Sequence, residues 1–424
     1  MVEKESEHSK IKEALSQSRF IEKLVQMLDR YQGMARVCFR GSPVLERARQ
    51  SAFEAFLNKD RDEALKNQKA SMSEVLAIYT DSVLRKGGLK LAIEAGANEE
   101  EYLRQLVQLF THLVDKDLFI EVYRSYLAKR LLNEKSQSVE QERQMISYIK
   151  MQSGPQFTKK LEGMLNDLAI ATEQTKQYEA QLSSQGTQDV EFHVTILTSS
   201  HWPSYKNFPD LQVPRVLLPP MENFTQYYQG RNNHRLVKWC FSLGTATVSG
   251  KFASRTFDLV VGTFQMCVIM QFNQTSEIPL RALKEALKMD DDTLIKNLKS
   301  LMLKNFKLLE VRGGHPLSLD AVIGVNDAFT SPYNRIVFPT PVLEEVYKKE
   351  VVAEDRSIAV EAAIVRIMKS RRKLGHNELI QEVLTALSNF QPNPAQIKQK
   401  IEQLIERDYL ERDPDDRTLY RYLA

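Results

Sequence analysis

The carboxyl-terminal part of this 424-residue chain contains the same order of elements twice, and this repeat constrains the fold most strongly. Apolar residues at helical spacing predict three successive helices in each copy, and two short strands follow them. The first copy comprises 264–273, 280–288, a helix opening at Asp291 or Asp292, 307–311 and 321–325. The second comprises 355–372, 377–388, a helix capped by Asn393, 409–412 and 418–422. Three helices followed by a hairpin is the order of a winged helix, so we predict two winged helices.

The amino-terminal part has the pattern of long helices. Ser71 and Glu74, like Asn98 and Glu101, have the spacing of a helix capping box. Apolar residues that share one helix face recur at i, i+4, i+7 and i+8 in an earlier segment: Phe20, Leu24, Met27 and Leu28. Similar patterns continue to about residue 181, which predicts that the first 185 residues form a long-helix bundle with short connections.

The periodicity changes after Gly186. Apolar and polar side chains alternate through 191–198, which is the period of a strand. Further short strands are predicted at 236–239, 246–252 and 256–261, with one helix near 224–228. The sequence therefore predicts an α+β fold that is mostly α. It consists of a long-helix bundle, a mixed region with an antiparallel sheet and a winged helix, and a carboxyl-terminal winged helix.

Composition excludes several classes of protein. The formal net charge is only +3, and 42% of the residues are hydrophobic, so the chain is neither a polycation nor an acidic disordered tail. Cys38, Cys240 and Cys267 form no CxxC pair, which argues against a zinc ribbon or a disulfide framework and favours a reducing compartment. The charged first residues lack the apolar region of a secretory signal, and we expect no membrane span. These features predict a location in the cytoplasm or nucleus.

No enzyme motif stands out in the sequence. The patterns GxSxG, HExxH and GxxxxGK[ST] are absent, and the seven histidines are scattered. We therefore expect no catalytic residues, no metal site and no cofactor.

A basic segment is the main candidate for chemistry. Residues 366–373 contain five cations and no anion: Arg366, Lys369, Arg371, Arg372 and Lys373. On a helix, Ile364, Ile367 and Met368 share one arc and Lys369 lies on the nearly opposite arc, so its amine is predicted to face solvent. Neighbouring cations disfavour the ammonium form, and a neutral exposed amine is a good acyl acceptor. From the residues alone, a solvated basic face ranks first, phosphate contact with DNA second and an acyl acceptor third.

The same segment resembles the modification segment of the cullin family. The resemblance covers residues 15–424, and its other motifs include Asp115-Lys116-Asp117, 127–132, 157–164, Trp202-Pro203 and 263–266. It implies a non-catalytic scaffold subunit of a RING-type E3 ubiquitin ligase, active in ubiquitin-dependent protein catabolism. The implied partners are a RING-box protein, a ubiquitin-conjugating enzyme recruited by it, a ubiquitin-like modifier and the modifier's conjugation and deconjugation machinery.

The resemblance also implies roles for individual residues. Lys369 is the implied acceptor of an isopeptide bond to the modifier (neddylation), which releases the last winged helix and activates the ligase. The residues implied to position the modifying enzymes are Arg366, Arg371, Arg372 and Lys373. A strand of the RING-box protein is implied to pair with a segment that includes Phe192, Val194, Thr195, Ile196 and Leu197. A basic patch for the acidic tail of the conjugating enzyme is expected at Lys116, Lys129 and Arg130.

The resemblance suggests four domains. Residues 1–65 resemble the end of the last cullin repeat and the start of the bundle, 66–185 the helical bundle, 186–340 the α/β region with the first winged helix, and 341–424 the neddylation winged helix. The amino-terminal repeats that bind a substrate adaptor are nearly absent from this sequence. An adaptor is therefore expected as a partner only if those repeats are present.

Two alternatives differ from the leading hypothesis. A winged-helix nucleic-acid-binding protein is one, but the last predicted third helix mixes Lys398, Lys400 and Arg407 with Glu402 and Glu406, which is poor for phosphate contact. A cullin-homology subunit of the anaphase-promoting-complex type is the other, and the intact segment 366–369 argues against it.

Overall fold

The computed structural model describes most of the chain. The described residues are 2–59, 71–88, 98–183, 190–206, 208–232, 234–252, 255–303, 307–312, 318, 321–341, 349–387, 390–416 and 418–423. They form two compact units. The first unit comprises Met1–Asp167, Leu197–Pro203 and Tyr347–Ala424, and the second comprises Leu168–Ile196 and Ser204–Val346.

Long helices dominate the amino-terminal part, as predicted. In chain order, the α-helices are α1 (Val2–Val37), α2 (Pro43–Leu57), α3 (Met72–Leu84), α4 (Glu99–Thr111), α5 (Lys116–Leu132), α6 (Val139–Ser153), α7 (Pro155–Ser183), α8 (Leu218–Arg231), α9 (Thr263–Gln271), α10 (Leu280–Leu287), α11 (Asp291–Leu301), α12 (Lys349–Arg371), α13 (His376–Ala386) and α14 (Pro394–Glu406). The capping box of Ser71 and Glu74 is present at the start of α3, which confirms that prediction.

The strands are short. They are β1 (Thr245–Lys251), β2 (Thr256–Gly262), β3 (Glu277–Pro279), β4 (Leu309–Val311), β5 (Val322–Val325), β6 (Arg335–Val337), β7 (Lys373–Gly375), β8 (Leu410–Arg412) and β9 (Leu419–Tyr422). They form three sheets, with the orders β1-β2-β6, β3-β5-β4 and β7-β9-β8. β1 and β2 are antiparallel as predicted, whereas β6 pairs with β2 in parallel.

The bundle of the first unit is built around aromatic and aliphatic side chains from several helices. Leu103 and Phe110 of α4 are buried, together with Phe119 and Tyr123 of α5. The rings of Phe110 and Phe119 lie 4.7 Å apart, and Phe119 stacks on Tyr123 at 5.9 Å. This packing fixes α5, whose ends carry several of the predicted site residues.

Both predicted winged helices are confirmed, and each has an additional strand. Besides the hairpin that follows the third helix, β3 and β7 each precede the second helix and pair with the last strand of the hairpin. The additional strands are three residues long, too short to produce a detectable alternating pattern. The first winged helix lies in the second unit, and the last one lies in the first unit with the bundle.

Two predicted strands are not formed. Residues 191–198 and 236–239 have no regular secondary structure, and neither segment belongs to a sheet of the described chain. The alternation that suggested strands is nevertheless real, because the residues from 191 to 196 alternate between exposed and partly buried. The prediction of strands there is therefore wrong for the chain on its own.

Candidate functional site

Lys369 lies in the last turns of α12 with its side chain exposed. Ile364 and Met368, on the other side of this helix, are 0% exposed and pack into the core of the last winged helix. The predicted orientation of the lysine is thus confirmed. Arg366 is also exposed, and within the described residues neither Lys369 nor Arg366 has an ion-pair or hydrogen-bond partner for its side chain.

The three remaining cations of the basic segment contact other parts of the winged helix. Arg371 pairs with Glu382 of α13 at 3.0 Å, and Arg372 lies over the ring of Tyr422 at 5.7 Å. Lys373 forms an ion pair with Asp413. Glu382 and Asp413 therefore compensate two of the charges that were expected to surround Lys369. A docking role for Arg371, Arg372 and Lys373 remains a prediction.

Asp413 connects β7, which carries Lys373, with β9, which carries Arg421. Its carboxylate is buried and accepts hydrogen bonds from Nε of Arg421 at 2.8 Å and from the backbone N–H of Asp415 at 3.0 Å. Hydrogen bonding to the Lys373 ammonium, followed by that backbone N–H and Arg421, holds the pKa of Asp413 well below its usual range. The sequence offered no sign of this role beyond a carboxylate close to a predicted turn.

The segment predicted to pair with the RING-box protein packs on an aromatic cluster in the second unit. Val194 and Ile196 contact the cluster formed by Tyr178, Phe224 and Tyr228. The hydroxyl of Thr175 donates a hydrogen bond to the carbonyl of Val194 at 2.9 Å. Thr195 is exposed, and Leu197, which belongs to the first unit, is partly buried.

A second segment without regular secondary structure packs on the same cluster. Val237 and Trp239 contact it, and the ring of Phe192 lies 5.9 Å from that of Trp239. Between them, Lys238 is exposed. Residues 192–196 and 236–239 thus carry alternating side chains on one apolar surface, and neither segment pairs with another strand of the described chain. A segment that belongs to no sheet can accept an added strand.

His193 anchors the first of these segments. Its Nδ1 lies 2.8 Å from Oε1 of Glu179 on α7, and its Nε2 lies 3.1 Å from Oε1 of Glu191. Hydrogen bonding to Glu191, and then to Glu179, raises the pKa of His193.

The predicted basic patch on α5 is only partly present. The prediction that Arg130 lies at the surface is wrong. Its side chain is 0% exposed and is bound by two carboxylates. Its Nε and Nη2 each donate to Glu142 at 2.8 Å, and its Nη1 donates to Asp81 at 2.6 Å. Lys129 is partly exposed and lies 5.3 Å from the ring of Tyr126. Lys116 is partly buried, and this burial lowers its pKa.

One contact of the first unit was not predicted. Arg356 of α12 donates hydrogen bonds from Nε and Nη2 to the two carboxylate oxygens of Asp117, both at 2.6 Å, and from Nη2 to Asp115 at 2.8 Å. The pairs are 239 and 241 residues apart in sequence, so no local pattern could indicate them.

Cations on α14 and close to its end are partly neutralised. Arg407 and Lys400 both pair with Glu361 of α12, at 2.8 and 3.5 Å, and Arg412 pairs with Glu402. This arrangement disfavours the nucleic-acid alternative, because phosphate contact needs unpaired cations on the third helix.

In the described part of the chain, no helix is both long and apolar enough to cross a membrane. Among the same residues, no three or more His, Cys, Asp or Glu side chains are grouped so that they could hold a metal ion.

Comparison with known proteins gives consistent matches along the chain. Family models match residues 2–175 as a cullin alpha solenoid domain, 196–329 as a cullin alpha+beta domain and 355–416 as a cullin protein neddylation domain. Cullin-1 of Oryza sativa subsp. japonica is 38% identical over 97% of this chain and 55% of its own length. Cullin-2 and Cullin-3A of Arabidopsis thaliana are 37% and 36% identical, over 95% and 96% of this chain and 54% and 55% of their own lengths. The chain thus spans a little over half the length of these relatives.

Proposed function

Because the chain belongs to the cullin family, we propose that it is a scaffold subunit of a cullin–RING E3 ubiquitin ligase, activated by a ubiquitin-like modifier at Lys369. The observation that carries this proposal is the exposed Lys369, which has no ionic partner among the described residues and lies within the match to the neddylation domain. In this role the chain positions other proteins and performs no catalysis itself.

The modification requires a simple acyl transfer. The neutral amine of Lys369 attacks the thioester carbonyl between the modifier and its carrier enzyme. The new C–N bond is an isopeptide, the C–S bond breaks, the enzyme thiolate leaves and the amine gives up a proton. The exposure of Lys369 allows this approach, while burial of Met368 and Ile364 keeps the helix that bears it in place.

Modification can be tested directly by reconstitution with the modifier and its conjugating enzymes, followed by peptide mass spectrometry. We expect an isopeptide on Lys369 and its loss in Lys369→Arg. Lys398→Arg is the matched control, because Lys398 is an exposed lysine on α14 of the same winged helix. A Lys369→Arg protein that is modified as fast as the parent would exclude this site.

A RING-box protein is the proposed main partner, bound by strand addition to segments 192–196 and 236–239. Support comes from the absence of a strand partner for either segment within the described chain and from the apolar cluster on which both segments pack. The bound RING protein would bring the ubiquitin-conjugating enzyme, and Lys116 and Lys129 are the proposed contacts for its acidic tail.

Hydrogen exchange tests the strand addition. Backbone amides of both segments should exchange quickly in the free chain and at least tenfold more slowly in the complex, because strand pairing engages them. The amides of β2, already paired with β1 and β6, serve as the internal control. A chain that never retains the RING-box protein on co-purification would refute the scaffold role, and a stable complex without protection would refute this binding mode.

A further inference from the structure

Arg356 is held by three groups that come from distant parts of the sequence. Asp115 and Asp117, at the start of α5, receive its hydrogen bonds, and its guanidinium lies 4.9 Å from the ring of Phe390. Phe390 is buried in the core of the last winged helix. The guanidinium therefore lies between an acidic pair of the bundle and an aromatic ring of the winged helix, within one compact unit.

The geometry of this contact favours arginine specifically. A planar guanidinium can bind one carboxylate with two parallel hydrogen bonds and stack on a ring at the same time, whereas a lysine ammonium cannot. The side chain of Arg356 is 17% exposed and that of Asp115 is 4% exposed, so solvent screens the charges weakly. The contact is thus more specific than a typical surface ion pair.

Arg356 and Lys369 are on the same continuous helix. They are separated by thirteen residues, which corresponds to about 20 Å along α12 and about 140° around it. When Arg356 faces the bundle, Lys369 consequently lies on the other side of the helix, away from that contact. The position of the arginine thereby determines the direction in which the lysine points.

We propose that Asp115 and Asp117 form an intramolecular docking site for Arg356, and that this contact holds α12 against the bundle and sets the presentation of Lys369. Arg356 is a positioning residue in this scheme, and the second half of the proposal rests on the proposed role of Lys369 as acceptor. We expect the winged helix to stay folded when the contact is lost, because its core contains many apolar side chains besides Phe390.

Distance measurements test the docking independently of any modification. Spin labels are attached to cysteines placed at Glu140 on α6 and Asn377 on α13, both exposed, in a Cys38→Ser/Cys240→Ser background. We expect a narrow distance distribution in the parent, a clearly broader one in Arg356→Ala and Asp117→Asn, and an intermediate one in Arg356→Lys. Arg407→Ala is the matched control, because Arg407 pairs with Glu361 inside the winged helix, and its distribution should stay narrow. Unchanged distributions in Arg356→Ala would overturn the docking site.

The rate of Lys369 modification tests whether the Arg356 contact sets the presentation of this lysine to the modifying enzymes. We expect kcat/KM to fall at least threefold in Arg356→Ala, to recover partly in Arg356→Lys and to stay at the parent value in Arg407→Ala. A broadened distribution with an unchanged rate would overturn the positioning role and leave the docking site standing. A parent chain that is never modified would refute the proposed function, whereas the distance distributions would still decide the docking.

Discussion

Arg130 is a charge buried completely inside the bundle, and its environment compensates it fully. Glu142 receives two hydrogen bonds from it and two more from Tyr123 and Ser136, at 3.2 and 2.9 Å. Asp81 binds the remaining guanidinium nitrogen. Such a network tolerates the loss of one member poorly, because the others are left buried and unpaired.

Replacement of Arg130 by alanine should therefore destabilise the chain strongly. We expect the free energy of unfolding to fall by about 3–5 kcal/mol, since Glu142 loses its counter-charge without gaining water and Asp81 keeps only its pair with Arg85. Urea unfolding followed by circular dichroism measures the change. Lys135→Ala, an exposed cation close by, should shift the free energy by less than about 0.5 kcal/mol. Similar stabilities for both variants would contradict the account of the network.

Asp413 should make the last winged helix sensitive to acid. Its folded pKa lies below the unfolded value of 3.8, so its contribution to stability is present above that pH and is lost as the pH falls further. Asp413→Asn should have a lower Tm than the parent at pH 7, and this difference should shrink steadily below about pH 4. Thermal melting at a series of pH values checks it. A difference that is constant from pH 7 to pH 2.5 would show that the carboxylate charge has no part in stability.

Lys369 and Arg130 show which residue properties could be predicted from the sequence. The orientation of Lys369 follows from local periodicity, because its apolar neighbours repeat at helical spacing on one helix. The burial of Arg130 depends on Asp81 and Glu142, which come from two other helices, so the local sequence could not show that this member of the expected basic patch is buried. The docking of Arg356 could not be predicted from the local sequence either, since its partners lie far away in the sequence.

Helices and hairpins followed from local signals more closely than sheet membership did. Capping boxes, apolar stripes and the order of elements predicted the bundle and both winged helices. Residues 191–198 have strand periodicity but no paired strand, because pairing needs a neighbour that the described chain does not supply. A strand pattern without a partner is itself informative, since it identifies backbone that another protein can use.

Gly154 is the clearest case in which one residue ends a helix. It caps the end of α6 with a φ of 95°, a conformation that a residue with a side chain adopts only with strain. Gly154→Ala should lower the free energy of unfolding by roughly 1 kcal/mol or more. Gly33→Ala, in the exposed interior of α1 with open space around its Cα, should instead raise it by about 0.5–1 kcal/mol. Chemical denaturation of both variants measures the sign of each change in the free energy of unfolding. A stabilising Gly154→Ala would show that the positive φ at this position causes no strain in alanine.

The first unit leaves a large apolar surface open to solvent. α1 and α2 enclose a groove of about 420 Å³ whose lining includes Met27, Tyr31, Met34, Phe39 and Phe56. The helical stripe predicted for α1 is divided, since Leu24 and Leu28 are buried whereas Phe20 and Met27 are partly exposed. A contiguous apolar surface of this kind is uncommon on a folded chain and promotes association.

We expect this groove to be the main site of dye binding and self-association of the chain in solution. We expect the parent to bind the dye ANS and to self-associate as its concentration rises, because the groove exposes aromatic and methionine side chains together. Met27→Gln/Phe56→Gln should lower the dye fluorescence at least threefold and raise the solubility, with a Tm within about 2 °C of the parent, since the two residues are already 45% and 53% exposed. Val139→Gln removes an equally exposed apolar side chain from α6, outside the groove, and should leave the dye signal unchanged. If the double variant binds ANS as strongly as the parent, the dye reports other surfaces, and the groove is not what drives association.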